Sequence, residues 1–305
     1  MNDYEPYELL ESDIVRENNS FGRDQFRILR KLVLPKRFNK PSKGLVKRGL
    51  VVDVETTGFS HLEDKIIQLG MIPFDYEVET GNLLEVYLKD LFVQYQDPNI
   101  PIPNEITQLT GIDNATVAGK SIDVRLVEKY AERADLIIAH NSRFDRPFLE
   151  SLTGSFEKKP WSCSYDAIDW REEGIGSGKL EFIGMQFGWF YGAHDAIADC
   201  AAVVALLSRI LPVSKRKAMS VVRDVAANSQ FLIPLYDAFD IKDKLKRNGY
   251  QYRAENKVWF KICNGDYTRE IEWLHSEVYG FNKNIIVQEI NAFDRYTDRV
   301  WNYQT

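Results

Sequence analysis

The stretch that decides the fold is Gly49-Leu50-Val51-Val52-Asp53-Val54-Glu55-Thr56-Thr57-Gly58. Its dense run of aliphatic residues predicts a buried strand. Because side chains alternate across a strand, Asp53 and Glu55 are expected on one face, where two neighbouring carboxylates repel each other and lose hydration. A folded protein tolerates such a pair mainly when a cation or a proton lies between them. The stretch therefore indicates either a metal site or a strand that ends in a Thr-Thr-Gly turn.

Composition and charge leave several classes of function open. The 305 residues include 44% hydrophobic and 28% charged residues and carry a formal net charge of -6, values that are ordinary for a globular protein. The charge is uneven, since the segment from Arg16 to Arg48 has eleven basic residues against two acidic ones. Such an excess is usually a solvated surface or a linker, and it can also contact phosphates.

The cysteines and the N-terminus indicate a cellular compartment. Cys163, Cys200 and Cys263 lie far apart and form no C-x-x-C pair, which argues against a zinc site or a disulfide framework and favours a reducing environment. The first residues are acidic and lack an apolar core, so no signal peptide is expected. No stretch is apolar over the length of a membrane span. We therefore expect a cytoplasmic protein without a membrane partner.

The order of the predicted elements indicates the architecture. Three extended runs come first, the third over Leu83–Tyr95, and helices alternate with strands from Leu136 onward. This order predicts an α/β protein with a mixed sheet flanked by helices. Four segments are expected: a basic N-terminal arm or helical extension over 1–46, with a short helix over Arg23–Leu34; a main domain over 47–211; a linker or helix over 212–232; and a small C-terminal α+β module over 233–305.

The C-terminal module has its own predicted elements. Its aromatic and basic residues alternate with turn signals such as Asn248-Gly249 and Tyr279-Gly280. The expected elements are a basic helix over Ile241–Arg247, a strand over Tyr250–Ile262, a helix over Thr268–Val278 and a strand over Asn284–Phe293.

Two further acidic clusters open predicted helices. His140-Asn141-Ser142-Arg143-Phe144-Asp145 places Asp145 in a first helical turn, where the helix dipole favours an acid. His194-Asp195-Ala196-Ile197-Ala198-Asp199 makes Asp195 an N-cap and turns Asp199 toward the apolar face of the next helix. Five residues would place His194 and Asp199 about 140° apart on a helix, so His194 must approach from the preceding loop. Each cluster alone is compatible with a purely structural role.

Taken together, the three clusters resemble a known family. Their order and spacing are similar to the three motifs of the DnaQ-like, or DEDDh, 3'-5' exonucleases, a superfamily that includes the epsilon subunit of bacterial DNA polymerase III. The segment Pro101–Ile112 also resembles the family's Pro-x-Glu-Ile-Thr-x-Leu-Thr-Gly-Ile stretch. The resemblance covers about residues 47–211, and the tail resembles the extra module of stand-alone epsilon-like bacterial exonucleases. It implies a ribonuclease H-like fold with a mixed five-stranded sheet.

The resemblance also implies roles for individual residues. Asp53, Glu55, Asp145 and Asp199 match the metal ligands of the family, and His194 matches the general base that deprotonates the attacking water. An oxygen-rich set of four carboxylates suits two Mg²⁺ or Mn²⁺ ions rather than zinc. A histidine suits the role of base because its unperturbed pKa of about 6.5 lies near working pH.

The same comparison of motifs suggests how the substrate is bound. The backbone near Glu55 and Thr56 is expected to hold the 3'-hydroxyl of the terminal nucleotide. Thr56, Thr57, Asn141 and Phe144 are the residues expected at the substrate pocket, the last two shaping its floor.

These observations predict a metal-dependent 3'-5' exonuclease. It would release nucleoside 5'-monophosphates from the 3' end of single-stranded DNA, in proofreading or repair, with a DNA polymerase or repair assembly as partner. One alternative is an RNA-directed enzyme of the ribonuclease T or oligoribonuclease type, because the 2'-hydroxyl is read by pocket details outside the motifs. Another is a non-catalytic nucleic-acid-binding subunit, against which the intact set of acids argues.

Overall fold

The computed structural model describes residues 27–40, 43–236 and 238–301. Most of the predicted basic arm, residues 1–26, lies outside the described residues. The helix expected over Arg23–Leu34 is wrong in its described part, where strand β1 (Arg30–Lys31) pairs in parallel with β8 (Trp189–Phe190). Backbone hydrogen bonds to this distant strand, such as Leu32 N–H to the Phe190 carbonyl at 2.8 Å, replace the local helical ones.

A mixed sheet forms the centre of the molecule, as the sequence predicts. Strand β2 pairs antiparallel with β3 on one side and parallel with β6 on the other, and β7 continues the parallel part. Both β4 and β5 pair with the outer edge of β3, so six strands make a sheet that is five strands wide. The strands are β2 (Val46–Thr56), β3 (Ile66–Glu77), β4 (Leu83–Val86), β5 (Phe92–Tyr95), β6 (Leu136–Ala139) and β7 (Trp161–Cys163).

The predicted single strand over Leu83–Tyr95 is interrupted between β4 and β5. A turn separates the two strands, and in it the Asp90 N–H donates to the Tyr87 carbonyl at 2.9 Å. The expected strand is therefore two short ones. A continuous run of apolar and polar residues does not reveal a turn of this kind, because it contains neither Gly nor Pro.

Helices cover both faces of the sheet. Helix α6 is buried nearly all round, with eight of its twelve residues inaccessible, and it lies in one apolar layer together with α7. Helices α3 and α4 belong to the layer on the other face. The helices of this part are α1 (Asn104–Thr110), α2 (Asn114–Val117), α3 (Val124–Arg133), α4 (Ser142–Leu152), α5 (Leu180–Gln186), α6 (Ala196–Leu207) and α7 (Ala218–Ala227). Because α7 buries Ala218, Met219 and Val222 beside α6, the packing of this layer continues beyond residue 211.

A second, four-stranded antiparallel sheet follows, in the order β10-β11-β9-β12. The expected strand over Tyr250–Ile262 is a hairpin of two strands, and the expected helix over Thr268–Val278 becomes a π-helix after Trp273. Only three residues of the expected strand over Asn284–Phe293 are extended, and β9 was not predicted. The elements are β9 (Gln230–Leu235), α8 (Lys242–Arg247), β10 (Gln251–Arg253), β11 (Val258–Asn264), α9 (Thr268–Trp273), the π-helix Leu274–Tyr279 and β12 (Gln288–Ile290).

The chain finally returns to the main sheet. The N–H of Trp161, in β7, donates to the Ala292 carbonyl at 2.8 Å. The side chain of Arg146, in α4, donates to the Phe293 and Arg295 carbonyls, both at 2.5 Å. Residues 291–301, which we call the C-terminal strap, therefore tie the second sheet to the first. Among the described residues, no helix has the length and apolar character needed to cross a membrane.

Candidate active site

Three carboxylates meet at the end of β2. Asp53 and Glu55 project from one face of this strand, as the alternation of side chains predicts, and Asp199 comes from the first turn of α6. One carboxylate oxygen of each lies within 4.8 Å of the others. The pairing of β2 with β3 shifts register between Glu55 and Thr56, an irregularity of the kind that often lies beside active sites. The three oxygens are close enough to share one cation.

Asp145 lines the same pocket but is held differently. Its side chain on α4 is only 2% exposed, and its Oδ1 accepts the backbone N–H of Val54 at 3.1 Å. Its oxygens are not part of the group of three. The structure thus brings all four predicted acids to one pocket, with Asp145 oriented by the backbone of β2.

The carboxylates lie in a desolvated site and repel one another, which raises their pKa values. The pKa of Asp53 is raised well above its usual range, first by burial and then by repulsion from Asp145, Asp199 and Glu55. Burial, with repulsion from Asp199, raises the pKa of Glu55 to about 8. Burial also raises the pKa of Asp145 and of Asp199. A bound cation would relieve this repulsion, so the donor set fits a divalent metal that prefers oxygen.

The raised pKa of Glu55 predicts how the stability of the metal-free protein changes with pH. With a pKa of about 8 in the folded state and about 4.5 in the unfolded state, Glu55 keeps its proton longer when folded. The free energy of unfolding should therefore fall as pH rises from about 4.5 to about 8, by up to about 1.4 kcal/mol per pH unit for one such group. Glu55→Gln should flatten this fall, which urea unfolding in the presence of chelator would measure. Parallel profiles for the two proteins would contradict the assignment.

Two residues of β3 contact the start of α6, the helix that carries Asp199, and fix its position. Gly70 lies opposite Asp53 in the register with β2, and a Cβ atom there would lie 2.6 Å from the Ala196 carbonyl. Gln68 is 1% exposed, and its Oε1 accepts the Ala196 N–H at 2.9 Å while its Nε2 donates to Asp195 at 3.2 Å. The start of α6 therefore rests directly on β3, beside the carboxylates of β2.

Neither Gln68 nor Gly70 was predicted from the sequence, although each is an unusual residue at its position in the strand. Gln68 is a polar residue inside the apolar run Ile66–Phe74, and Gly70 is a glycine inside a strand. A glycine within a strand often marks the close approach of another backbone. What the sequence lacks is the identity of that backbone, since Ala196 lies far along the chain.

Removing the Gln68 amide should impair hydrolysis without abolishing it. Gln68→Leu keeps the size of the side chain but leaves the Ala196 N–H unpaired and removes one of the two donors to Asp195, so the start of α6, which carries Asp199, is held less firmly. Loss of such a supporting contact typically costs about 10–100-fold in metal affinity or activity. The comparison is Gln94→Leu, whose Oε1 accepts the Asp123 N–H at the start of α3, away from the pocket. Equal loss of activity in both variants would show a general folding defect instead.

His194 lies in the loop before α6, as the helical spacing required. Its backbone is left-handed, with φ of 62°, and its N–H donates to Asp199 Oδ2 at 2.8 Å. The residue is exposed and lines the pocket. The Tyr191 hydroxyl donates to the other oxygen of Asp199 at 2.7 Å. Tyr191 was not predicted, because its place in an irregular loop has no periodicity to reveal it.

His140, part of the second motif, lines the pocket and has both ring nitrogens within hydrogen-bonding distance of other residues. Burial lowers its pKa to about 4, so the imidazole is neutral at physiological pH. Its two ring nitrogens lie 2.8 Å from Ser164 Oγ and 2.8 Å from the Gly178 carbonyl. The ring thus connects the strand end at β6 to two loops that border the pocket.

The predicted substrate residues fall into two groups. Thr56, Asn141 and Phe144 line the pocket, and Asn141 adopts a left-handed conformation with φ of 98°. Thr57 is not among the pocket-lining residues that the structure describes. Its hydroxyl instead donates to Asp64 at 3.1 Å, which places it in the adjoining loop.

The pocket has a volume of about 590 Å³ and combines acidic with apolar surface. Phe59 is 86% exposed at its rim and packs edge-on against Phe144, and Tyr165 is also exposed there. Among the described lining residues, Lys179 is the one Lys or Arg. Such a pocket suits a ligand with an aromatic part and an anionic part that reaches the acids through a cation.

Comparison with known proteins agrees with these features. The family RNase_T, described as exonuclease, matches residues 50–207. The PolC-type DNA polymerase III of Caldanaerobacter subterraneus subsp. tengcongensis is 34% identical over 104 residues, which are 33% of this chain and 7% of that protein. The 3'-5' exonuclease DinG of Bacillus subtilis is 36% identical over 107 residues, 34% of this chain and 10% of DinG. The matched part is thus a tenth or less of the length of these two relatives.

Distant likenesses also exist among solved structures. Exonuclease X in complex with 5' overhanging duplex DNA is 19% identical, with a TM-score of 0.41 and coverage of 56% of this chain and 99% of that one. The zinc-bound complex of E. coli exonuclease I with single-stranded DNA is 14% identical, with a TM-score of 0.48 and coverage of 81% and 64%. The family match, which spans about half of the residues and all three acidic motifs, shows that this chain belongs to the RNase_T family of exonucleases.

Proposed function

We propose that this protein is a metal-dependent 3'-5' exonuclease that removes nucleoside 5'-monophosphates from the 3' end of single-stranded DNA. The observation that carries the proposal is the convergence of Asp53, Glu55 and Asp199 within 4.8 Å in the pocket of an exonuclease-family chain. Acids whose pKa is raised by desolvation and by mutual repulsion are characteristic of functional sites.

The donor set indicates which cofactor the pocket takes. Carboxylate oxygens, without a cysteine among the pocket-lining residues described, suit Mg²⁺ or Mn²⁺. Asp53, Glu55 and Asp199 would hold one ion, and Asp145 would complete the set for a second. Bound there, such ions supply charge stabilisation to a phosphodiester that is being displaced and lower the pKa of a water molecule.

The remaining residues bind the substrate and move the proton. His194, exposed at the rim, accepts the proton of the attacking water, and its backbone bond to Asp199 fixes the main chain of this residue beside the acids. The backbone near Glu55 and Thr56 holds the 3'-hydroxyl. Phe144 and Asn141 contact the terminal nucleotide, and Thr57 supports the loop that follows β2.

The relatives support DNA as substrate and the 3'-5' direction. One is named a DNA polymerase and the other a 3'-5' exonuclease. We extend this to a role in proofreading or repair, with a polymerase or repair assembly as partner, in the cytoplasm. An RNA-directed activity is the second candidate, because the 2'-hydroxyl is read by pocket details outside the motifs.

A degradation ladder tests the proposal. The protein would be given 5'-labelled single-stranded DNA and RNA of one sequence, with Mg²⁺ or Mn²⁺ and then with chelator, beside Asp199→Asn. We expect a metal-dependent ladder that shrinks from the 3' end, with mononucleotides as the product and none of it in the variant. Faster loss of RNA would assign the enzyme to the RNA-directed class. Tight binding without a ladder would refute hydrolysis.

The role of His194 as the general base is tested separately. His194→Ala should slow hydrolysis strongly at saturating metal, while metal binding, measured by calorimetry, stays unchanged. An unaltered dependence of rate on pH in this variant would transfer the role to another group.

A further inference from the structure

A second depression lies beside the active-site pocket. This cleft has a volume of about 270 Å³ and separates the N-terminal end of α4 from the C-terminal sheet. One wall contains Arg143 and Asp166, and the other contains Gln251, Lys261 and Asn264. None of these residues has a part in the hydrolysis proposed above.

The cleft and the pocket adjoin along two short segments of chain. Asn141 and Phe144 line the pocket, while Arg143 between them lines the cleft. In the same way, Tyr165 lines the pocket and its neighbour Asp166 lines the cleft. A nucleic-acid strand whose 3' end lies in the pocket can therefore continue directly into the cleft.

The cleft offers donors suited to phosphate. The Nε of Arg143 bonds to Asp166 at 3.2 Å and the guanidinium lies 6.0 Å from the centre of the Tyr296 ring, while its two Nη groups have no hydrogen-bond partner among the described residues. A planar guanidinium with free donors binds phosphate oxygens well. Opposite it, the side chain of Gln251 is exposed, and Asn264 accepts a hydrogen bond from Gln230 at 2.7 Å. The volume is slightly below the roughly 300 Å³ of small ligand pockets, so it accommodates on the order of one nucleotide.

The C-terminal strap forms part of the cleft lining and is fastened to the end of α7 and to α4. Arg295 is 2% exposed, and its guanidinium donates to the Val225 and Asn228 carbonyls. Its own carbonyl accepts from Arg146 at 2.5 Å. Tyr296, the next residue, lines the cleft. The cleft is therefore formed before any ligand arrives, which reduces the ordering cost of binding.

We propose that this cleft binds the phosphodiester backbone of a single strand immediately 5' of the nucleotide held in the pocket. The inference rests on the proposed function, because it takes the polarity of the strand from it. Arg143 contacts a phosphate, and the wall at Gln251 borders the same nucleotide.

Binding in the absence of hydrolysis tests the contact at Arg143. Fluorescence anisotropy would measure the affinity for single-stranded DNA of about ten nucleotides in chelator. We expect about 10-fold weaker binding for Arg143→Gln, the loss typical of one charge-assisted hydrogen bond. The slope of log affinity against log salt concentration should fall by about 0.7, the value for one phosphate contact to a single strand. The KM for hydrolysis of a dinucleotide with a free 5'-hydroxyl should not change, because its single phosphate is the scissile one and it lacks the phosphate that Arg143 contacts.

The wall of the cleft at Gln251 is tested by introducing a charge there, which removes no side-chain contact seen among the described residues. Gln251→Lys should tighten binding of the longer strand, and Gln251→Glu should weaken it. Lys242→Gln, which removes an exposed cation on α8 away from the cleft, is the matched control and should have no effect.

Two outcomes would overturn the proposal. Equal losses on the dinucleotide and the longer strand would place Arg143 inside the pocket, and unchanged affinity in Arg143→Gln and both Gln251 variants would exclude the cleft. Failure of the proposed function is distinguishable, since a protein that yields no ladder but shows these charge effects would bind the strand in the cleft without cutting it.

Discussion

Asp53→Asn is expected to lose hydrolysis by at least about 1,000-fold and to make the metal-free protein more stable. The variant keeps the size of the side chain but replaces one of the three carboxylates whose oxygens converge within 4.8 Å by a neutral amide. Charge stabilisation by a bound metal is worth several kcal/mol in the transition state, and each 1.36 kcal/mol corresponds to a tenfold change in rate. The same substitution removes a half-buried carboxyl that Asp145, Asp199 and Glu55 all repel. Without metal, only the second effect remains.

The opposite signs of these effects make the test specific. Initial rates with Mg²⁺ or Mn²⁺ would measure the loss, and urea unfolding in chelator would measure the gain. Asp135→Asn is the matched control, because this carboxylate accepts the Arg48 N–H at 2.7 Å outside the pocket. It should leave the rate unchanged. An Asp53→Asn protein that is inactive and also less stable without metal would contradict a repulsive cluster and indicate damage to the fold.

The geometry at β2 was predictable because it depends on local rules. The period of two places Asp53 and Glu55 on one face, and the N-cap preference places Asp195 at the start of α6, where its side chain accepts the Ala198 N–H. The resemblance to the family's motifs then predicted that segments far apart in the chain form one site. It did not show that Asp145 is oriented by the Val54 N–H, since that contact depends on how α4 lies on the sheet.

The features that the sequence did not reveal depend on distant partners. The helix expected over Arg23–Leu34 fails in its described part because β8 supplies hydrogen bonds from more than 150 residues away. Tyr191 becomes a partner of Asp199 only once its loop folds over the pocket. Arg146 stands in a helix with no sign in the sequence that its charge is buried. Long-range contacts of this kind override local propensity, and no single-sequence pattern encodes them.

Loss of the Arg146 side chain should strongly destabilise the fold. Its side chain is completely buried, and burial lowers its pKa despite the nearby carboxylate of Glu150. The Nε donates to Glu150 at 2.7 Å, and the two Nη groups donate to the Phe293 and Arg295 carbonyls. One guanidinium thus satisfies acceptors from α4 and from the C-terminal strap at once.

Arg146→Met should reduce the free energy of unfolding by about 3–5 kcal/mol, the usual cost of removing one partner of a buried ion pair. Methionine fills most of the space but leaves Glu150 Oε1 and the two strap carbonyls without these donors, while Glu150 Oε2 keeps its contacts with Thr297 and Arg299. Urea unfolding followed by tryptophan fluorescence would measure the change. Arg143→Met, in the same helix, is the control, because the Arg143 side chain is 43% exposed and its ion pair with Asp166 should contribute less than about 1 kcal/mol. Similar small changes in both variants would mean that the strap is held mainly by other contacts, such as those of Arg295. A large loss confined to Arg146→Met would instead show that the buried guanidinium fastens the second sheet to the first.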